Sequence, residues 1–272
     1  MKKLLAITAL SAALFFGQTA AAEEKAAEEV KPSHVEMVLV LDESGSMSNL
    51  TNDTIGGFNS MIEKEKKLDV DAHVTTVLFN DQYKMLYNRR ELKDVSKMTD
   101  KDYTPGGMTA LLDAVGRTIH KMDMVSGIHR KDKGNKVLFV IITDGEENDS
   151  KEYTYADVKK LIKDRQENAG WEFIFLGANL DAAAEAENLG IGSDRAVKYK
   201  NTGSGVRANF KAVAEMSDSL AKSGRVSDEW KSQVEEDTDE NVMAVPADTK
   251  EHTAPPAKPV KKHLVSKVRK AK

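Results

Sequence analysis

The chain has 272 residues, no cysteine and a formal net charge of −4. This length suits one medium-sized domain with tails or two small domains, and a domain of roughly 150–250 residues can bury a core without disulfides or structural zinc. Hydrophobic residues make up 40% and charged residues 31%, which is typical of a soluble globular protein. The mild negative charge argues against a nucleic-acid-binding core, which usually has a basic face, so no nucleic-acid partner is expected.

The N-terminal segment is typical of a cleavable export signal. Lys2 and Lys3 precede an apolar run over 4–16, and the run Ala20 to Ala22 matches an A-x-A cleavage site. The apolar run is shorter than the about 20 residues that a membrane-spanning helix needs. We therefore expect a signal peptide over 1–22, a linker over 23–34, and a mature periplasmic or secreted protein without a transmembrane segment.

Strand and helix patterns alternate along the middle of the chain. Strands are predicted over 35–41, 74–79, 83–87, 137–142, 171–176 and 196–199. Helices are predicted over 54–67, 111–124, 155–168, 181–189 and 206–222. The pair of β-rich runs around Asn80-Asp81 indicates a hairpin with one antiparallel edge strand. Alternation of this kind with right-handed crossovers predicts an α/β protein with a doubly wound, mainly parallel sheet and helices on both faces.

The composition changes after Gly224. An acidic stretch over 226–241 is followed by a basic, proline-containing stretch over 246–272. Such segments bury too little apolar surface to fold alone, so residues 225–272 are predicted to form a disordered tail.

Oxygen-bearing side chains follow three of the predicted elements. Asp42, Ser44 and Ser46 come after the first strand, Thr109 lies in a glycine-containing loop before the second long helix, and Asp144 directly follows the strongest strand. The carboxyl ends of parallel strands meet at one edge of a doubly wound sheet, which is where such folds bind ligands. Hydroxyls and carboxylates are hard ligands that suit Mg²⁺, Mn²⁺ or Ca²⁺, and neither cysteine nor a local histidine is present to favour zinc.

These residues resemble the metal-ion-dependent adhesion site of von Willebrand factor A (VWA) domains. The run Asp42 to Ser46 matches the family's D-x-S-x-S motif, Thr109 its lone threonine and Asp144 its distal aspartate. The resemblance covers about 35–222 and implies a Rossmann-like VWA domain over 35–224. It also implies that Ser44, Ser46 and Thr109 touch the metal, with Asp42 and Asp144 acting directly or through water.

The resemblance implies a role in metal-dependent protein–protein interaction or adhesion. An open position on the cation, most simply Mg²⁺, would accept a Glu or Asp from a partner protein of unknown identity. Metal-dependent hydrolysis is one alternative, although no nucleophile elbow, phosphate-binding loop or dinucleotide fingerprint is present and enzymatic activity is not expected. Attachment of the basic tail to an anionic surface is the other.

Several polar residues have plainer interpretations. Ser44 and Ser46 are also residue types that cap helices, and Asp144-Gly145 is also a simple turn. Asp113 is interpreted as a first-turn helix acid, which the helix dipole favours. The acids of the loops are expected to be solvated (Glu43, Glu146, Glu147, Asp149). The histidines are expected to be structural (His34, His73, His120, His129).

Overall fold

A computed structural model describes residues 34–68, 70–125, 135–179 and 181–236. The predicted signal peptide, nearly all of the predicted linker and the tail beyond 236 lie outside the described residues. Among the described residues, no helix combines the length and the apolar character that a membrane span requires.

A six-stranded sheet forms the centre of the fold, in the order β3-β2-β1-β4-β5-β6. The strands are β1 (Val35–Asp42), β2 (Ala72–Phe79), β3 (Tyr83–Glu91), β4 (Lys136–Thr143), β5 (Glu172–Gly177) and β6 (Ala196–Lys198). Each neighbouring pair is parallel except β2 and β3, which form the antiparallel hairpin at one edge. The predicted doubly wound, mainly parallel sheet with one antiparallel edge strand is confirmed.

Helices cover both faces of this sheet. They are α1 (Thr51–Lys67), α2 (Leu111–Asp123), α3 (Tyr155–Asp164), α4 (Ala182–Leu189), α5 (Gly203–Ser223) and α6 (Trp230–Glu236). One apolar cluster joins α1, α5 and α6 to strand residues such as Leu39 and Val140. The other joins α2, α3 and α4 to their strand neighbours Val38 and Phe139. Because successive strand side chains point to opposite faces, the central strands are buried on both sides.

The folded region continues beyond Gly224, where the sequence predicts the start of a disordered tail. Helix α6 lies within the acidic stretch, and its Trp230 and Val234 are 2% and 1% exposed in the cluster that includes α5. Residues four apart lie on the same side of a helix, so these two apolar side chains anchor an otherwise charged segment. The predicted boundary at 224 is therefore too early.

Close packing of α1 on α5 depends on Gly57. A Cβ atom at this position would lie 2.5 Å from Cδ2 of Phe210, so a larger residue would push the two helices apart. Gly56 and Gly57 interrupt the pattern of the first helix in the sequence, which predicts that another element packs closely there. The structure confirms it at Gly57, whereas the space beside Gly56 is open.

The strand order creates a crevice at the carboxyl ends of β1 and β4. The chain leaves β1 toward β2 on one side, and β4 continues the sheet on the other, so the connections diverge at this point. Doubly wound sheets bind ligands in the crevice that this divergence opens. Asp42 is the last residue of β1 and Asp144 directly follows β4, so the fold places both carboxylates there.

A buried carboxyl group lies between α1 and α5, away from this crevice. Glu65 is fully buried, and one of its oxygens accepts a 2.7 Å hydrogen bond from Oγ of Ser217. Its other oxygen has no hydrogen-bond partner among the described residues. Burial raises the pKa of Glu65 from 4.5 to about 7, because the charged form loses its hydration.

This raised pKa predicts that Glu65 makes the protein less stable as the pH rises. The unfolded carboxyl ionises near pH 4.5 while the folded one stays protonated to about pH 7, so stability falls across that interval by about 3 kcal/mol. Glu65→Gln should remove this part of the pH dependence in urea unfolding measured from pH 4 to pH 8. Glu63→Gln, on the exposed side of the same helix, is the matched control. Equal pH slopes for wild type and Glu65→Gln would contradict the assignment.

Candidate metal centre

The structure brings the predicted metal ligands together at the crevice between β1 and β4. Oγ of Ser44 lies 3.0 Å from Oγ of Ser46, which donates a 2.5 Å hydrogen bond to Oδ1 of Asp144. Asp42, Ser44, Thr109 and Asp144 are each at most 3% exposed, whereas Ser46 is exposed. Four of the five side chains are thus withdrawn from solvent, and Ser46 lies at the surface.

Asp42 is held through both of its carboxylate oxygens. Oδ1 accepts a 2.7 Å hydrogen bond from the backbone N–H of Ser44, and Oδ2 accepts one of 2.6 Å from Oγ1 of Thr143. Burial nevertheless raises the pKa of Asp42 to about 6, because these neutral donors offset only part of the lost hydration. A nearby positive charge would favour its ionised form.

Asp144 is bound on both oxygens as well. Besides the Ser46 contact, its Oδ2 accepts a 3.2 Å hydrogen bond from Nδ2 of Asn201, in the loop between β6 and α5. In the described part of the chain, neither Asp144 nor Asp42 forms an ion pair with a Lys or Arg side chain. The crevice therefore holds two buried acids whose described partners are all neutral.

Thr109 is positioned by the loop that follows β4. Its backbone N–H donates to Oδ1 of Asn148 at 2.9 Å, and its carbonyl accepts from the N–H of Asn148 at 3.0 Å. A Cβ atom on Gly145 would lie 3.5 Å from Oγ1 of Thr109 and 3.8 Å from Oγ of Ser46. Gly145 thus leaves open a space that both hydroxyls border.

Two buried tyrosines donate hydrogen bonds to the backbone at the ends of β1 and β4. The Tyr103 hydroxyl donates to the carbonyl of Asp42 at 2.6 Å, and the Tyr199 hydroxyl donates to that of Thr143 at 3.3 Å. Burial raises the pKa of both phenols, so they remain neutral donors. Sequence reasoning missed these tyrosines and also Asn148 and Asn201, because no local pattern connects them to strand ends far away in the chain.

The donor set fits a hard divalent cation. Three hydroxyls and two carboxylates present only oxygen atoms, the ligand type that Mg²⁺, Mn²⁺ and Ca²⁺ prefer. The two buried carboxylates lack a cationic partner among the described residues, and Gly145 keeps the space between the hydroxyls clear. The three described histidines contact other groups: His34 and His73 contact each other, and His120 contacts Tyr153.

Two of the four loop acids, Glu43 and Glu147, are structural, which corrects the expectation that they are solvated. Glu147 accepts hydrogen bonds from the N–H of Leu112 at 3.0 Å and from the N–H of Ser150 at 2.7 Å. Glu43 is 4% exposed and lies 3.6 Å from Nζ of Lys84. Glu146 is exposed, as expected. Only three-dimensional proximity shows that these acids organise the loops.

Asp113 also has a different role from the one that the sequence indicated. Its carboxylate accepts backbone hydrogen bonds from Lys151 at 3.0 Å and from Glu152 and Tyr153 at 2.9 Å. It is therefore an anchor for the segment after β4 in addition to being an acid in the first turn of α2. Together with Glu147 it fixes the start of α2, and hence Thr109, against the loop that carries Asp144.

Comparisons with known proteins agree with this architecture. The model of the vWA-TerF-like family, described as the vWA found in the TerF C terminus, matches residues 34–189. A search of curated proteins finds no match.

Three solved structures resemble the fold at low sequence identity. The pilus adhesin SpaC of Lactobacillus rhamnosus GG, in its open conformation, superposes with a TM-score of 0.55 at 14% identity over 71% of this chain. The vWF domain of the type V pili tip protein Mfa5 of Porphyromonas gingivalis gives 0.50 at 12% identity over 72% of this chain and 99% of its own. The PilB minor pilin of Streptococcus sanguinis gives 0.50 at 11% identity over 68% of this chain and 61% of its own. The matched region is 31% of SpaC, and the likenesses concern the fold alone.

The role of Glu147 as a structural acid predicts a stability loss on its removal. Glu147→Ala leaves the first turn of α2 and the turn at Ser150 without their acceptor, so the free energy of unfolding should fall by about 1–3 kcal/mol. Glu146→Ala removes the same charge from the adjacent exposed position and should change stability by at most about 0.5 kcal/mol. Urea unfolding of both variants measures the difference, and similar losses would show that Glu147 has no such role.

Proposed function

Because this chain belongs to the vWA-TerF-like family of vWA domains, as its match over 34–189 shows, we propose that it is an exported, metal-dependent binding protein. Asp42, Ser44, Ser46, Thr109 and Asp144 hold one divalent cation, Mg²⁺ in the first instance. The cation then provides the contact point for a partner protein. The observation that carries this proposal is the meeting of two buried carboxylates and three hydroxyls in one crevice.

Each of these residues has a defined part in holding the cation. The hydroxyls of Ser44, Ser46 and Thr109 are neutral ligands, so they bind the ion without cancelling its charge. Asp42 and Asp144 balance that charge, and their hydrogen bonds from Thr143 and Asn201 keep them oriented. When bound, the cation supplies a positive centre that accepts an oxygen ligand from outside the chain.

The partner should present a Glu or Asp. A divalent cation with two carboxylates is close to neutral as a unit, so an added carboxylate meets little net repulsion. A Lys or Arg would face the cation directly and be repelled by it. The exposed Glu146 repels an acidic partner at long range. That repulsion is screened over about 8 Å at physiological ionic strength, whereas direct metal coordination acts at contact.

We also propose that the protein acts outside the cytoplasm and is not an enzyme. The N-terminal sequence is the support for export. The support for a binding role is that the Ser46 hydroxyl contacts Ser44 and Asp144, and no described histidine lies beside these groups to act as a base. The pilus proteins among the structural neighbours are consistent with surface adhesion as one setting for such binding.

Metal binding is the first prediction of this proposal. Isothermal titration with Mg²⁺ should show one site in the wild type, and Asp144→Asn should weaken it at least about tenfold because the site loses one charge. Glu146→Gln removes a similar charge two residues away without touching the hydroxyls, so it should bind nearly as wild type. Equal weakening by both substitutions would indicate a diffuse charge effect and contradict a defined site.

Two glycine variants add a steric control. Gly145→Ala places a methyl group beside the hydroxyls of Thr109 and Ser46 and should weaken Mg²⁺ binding. In Gly106→Ala the added methyl group faces open space, so Mg²⁺ binding should not change. Melting temperatures establish that both variants are folded.

Partner recognition is the second prediction. Proteins retained by the immobilised chain in Mg²⁺ should be released by EDTA, lost with Asp144→Asn and kept with Glu146→Gln. Replacing the contacting Glu or Asp of an identified partner by Gln or Asn should then abolish the Mg²⁺-dependent part of its affinity. Full affinity in EDTA would mean that the crevice is not the recognition surface.

A further inference from the structure

A second cluster of potential metal ligands lies at the opposite end of the sheet. It consists of His34, directly before β1, Glu36 in β1 and His73 in β2. Glu36 and His73 are register partners in the parallel pair, so their side chains extend from the same face. Asp42 lies six residue steps along β1 from Glu36, which puts this cluster roughly 20 Å from the crevice. The sequence indicated that both histidines are structural, and the structure shows that His34 is not isolated, because it contacts His73 and Glu36.

The three donor atoms form a nearly regular triangle. Nε2 of His34 lies 3.3 Å from Oε1 of Glu36, Nδ1 of His73 lies 3.4 Å from the same oxygen, and the two nitrogens are 2.8 Å apart. In a tetrahedral zinc site with bonds of about 2.0–2.1 Å to nitrogen and oxygen, neighbouring donors lie about 3.3 Å apart. The side chains therefore already have nearly the spacing of one face of a zinc tetrahedron.

Hydrogen bonds around the cluster bear on the direction of the imidazole lone pairs. Nδ1 of His34 lies 2.9 Å from Oδ1 of Asp71, and a neutral imidazole that donates there has its lone pair on Nε2. Nδ1 of His73 lies 2.8 Å from that nitrogen and 3.4 Å from Nη2 of Arg89, and its lone pair lies among these groups when the His73 ring is protonated on Nε2. A cation bound by both rings and by Oε1 of Glu36 would therefore replace the His34–His73 and His73–Arg89 contacts.

Among the described lysines and arginines, Arg89 is the one that contacts Glu36. It binds the carboxylate through Nε on Oε2 and through Nη2 on Oε1, which leaves a second lone pair on Oε1 for a metal. The backbone of Arg89 has a positive φ of 46°, at an irregularity in the β2–β3 pairing. The guanidinium thus orients a carboxylate that is 1% exposed, as hydrogen-bonding groups around metal ligands commonly do.

We propose that His34, Glu36 and His73 bind a divalent transition metal, with Zn²⁺ as the best fit. Two imidazoles and one carboxylate form a donor set that zinc sites use, with water in the fourth position. His34 and His73 line a surface cavity of about 460 Å³, which gives the ion a path of entry and room for that water. Asp71 borders the same cavity and holds the His34 ring through its other nitrogen.

The test is zinc binding by the full chain without a polyhistidine tag, measured by equilibrium dialysis in a large excess of Mg²⁺. The wild type should bind one equivalent of Zn²⁺. His73→Gln should lower the affinity by more than about 100-fold, and Asp71→Asn by about tenfold. His120→Gln, which alters an exposed histidine that contacts Tyr153, should bind as the wild type.

Two further measurements separate this site from the crevice and from a folding defect. Asp144→Asn should leave zinc binding unchanged, so the result stands whether or not the proposed function is correct. Co²⁺ bound to the wild type should show the strong visible absorption of a four-coordinate ion, a result that needs no variant. Absence of stoichiometric zinc, wild-type affinity in His73→Gln or a six-coordinate Co²⁺ spectrum would each overturn the proposal and leave a hydrogen-bonded ion-pair cluster in its place.

Discussion

Two carboxylates, Asp42 and Asp144, are buried side by side at the ends of adjacent parallel strands. Removing a carboxylate from water costs several kcal/mol even after the protein relaxes, and two like charges in one crevice add to that cost. Hydrogen bonds from Thr143, Ser46, Asn201 and a backbone N–H recover part of it. A bound divalent cation would offset most of the remainder, which is why the arrangement is physically reasonable as a metal site and costly as an empty one.

Much of the surrounding structure maintains this pair of acids. Tyr103 and Tyr199 hold the carbonyls of the two strand ends, and Asn148 holds both backbone groups of Thr109. The other end of β1 shows the contrast, because Glu36 is equally buried but has Arg89 as its counter-ion. The difference between the two ends shows that this fold can neutralise a buried acid with its own side chains, and that the described part of the crevice does not do so.

The sequence predicted the parts of this architecture that depend on local pattern. Apolar runs followed directly by Asp42 and Asp144 located the strand ends, and the fold rule for parallel sheets then brought those ends together. The residues that it missed are connected by register or by distant loops. Glu36 and His73 meet only because β1 and β2 pair in one register, and Asn201 reaches Asp144 from the far side of β6. Trp230 was overlooked because its acidic neighbours outweighed a single apolar pair in the composition.

The position of a cation in the crevice is the most direct test of the proposed metal site. Crystals of the protein grown with Mn²⁺ would locate the ion by its anomalous scattering, independently of any substitution. A metal site in the crevice predicts one strong peak within bonding distance of the hydroxyls of Ser44, Ser46 and Thr109, between the carboxylates of Asp42 and Asp144. A crevice that holds only water in saturating Mn²⁺, or one in which a Lys or Arg side chain neutralises the two acids, would contradict it.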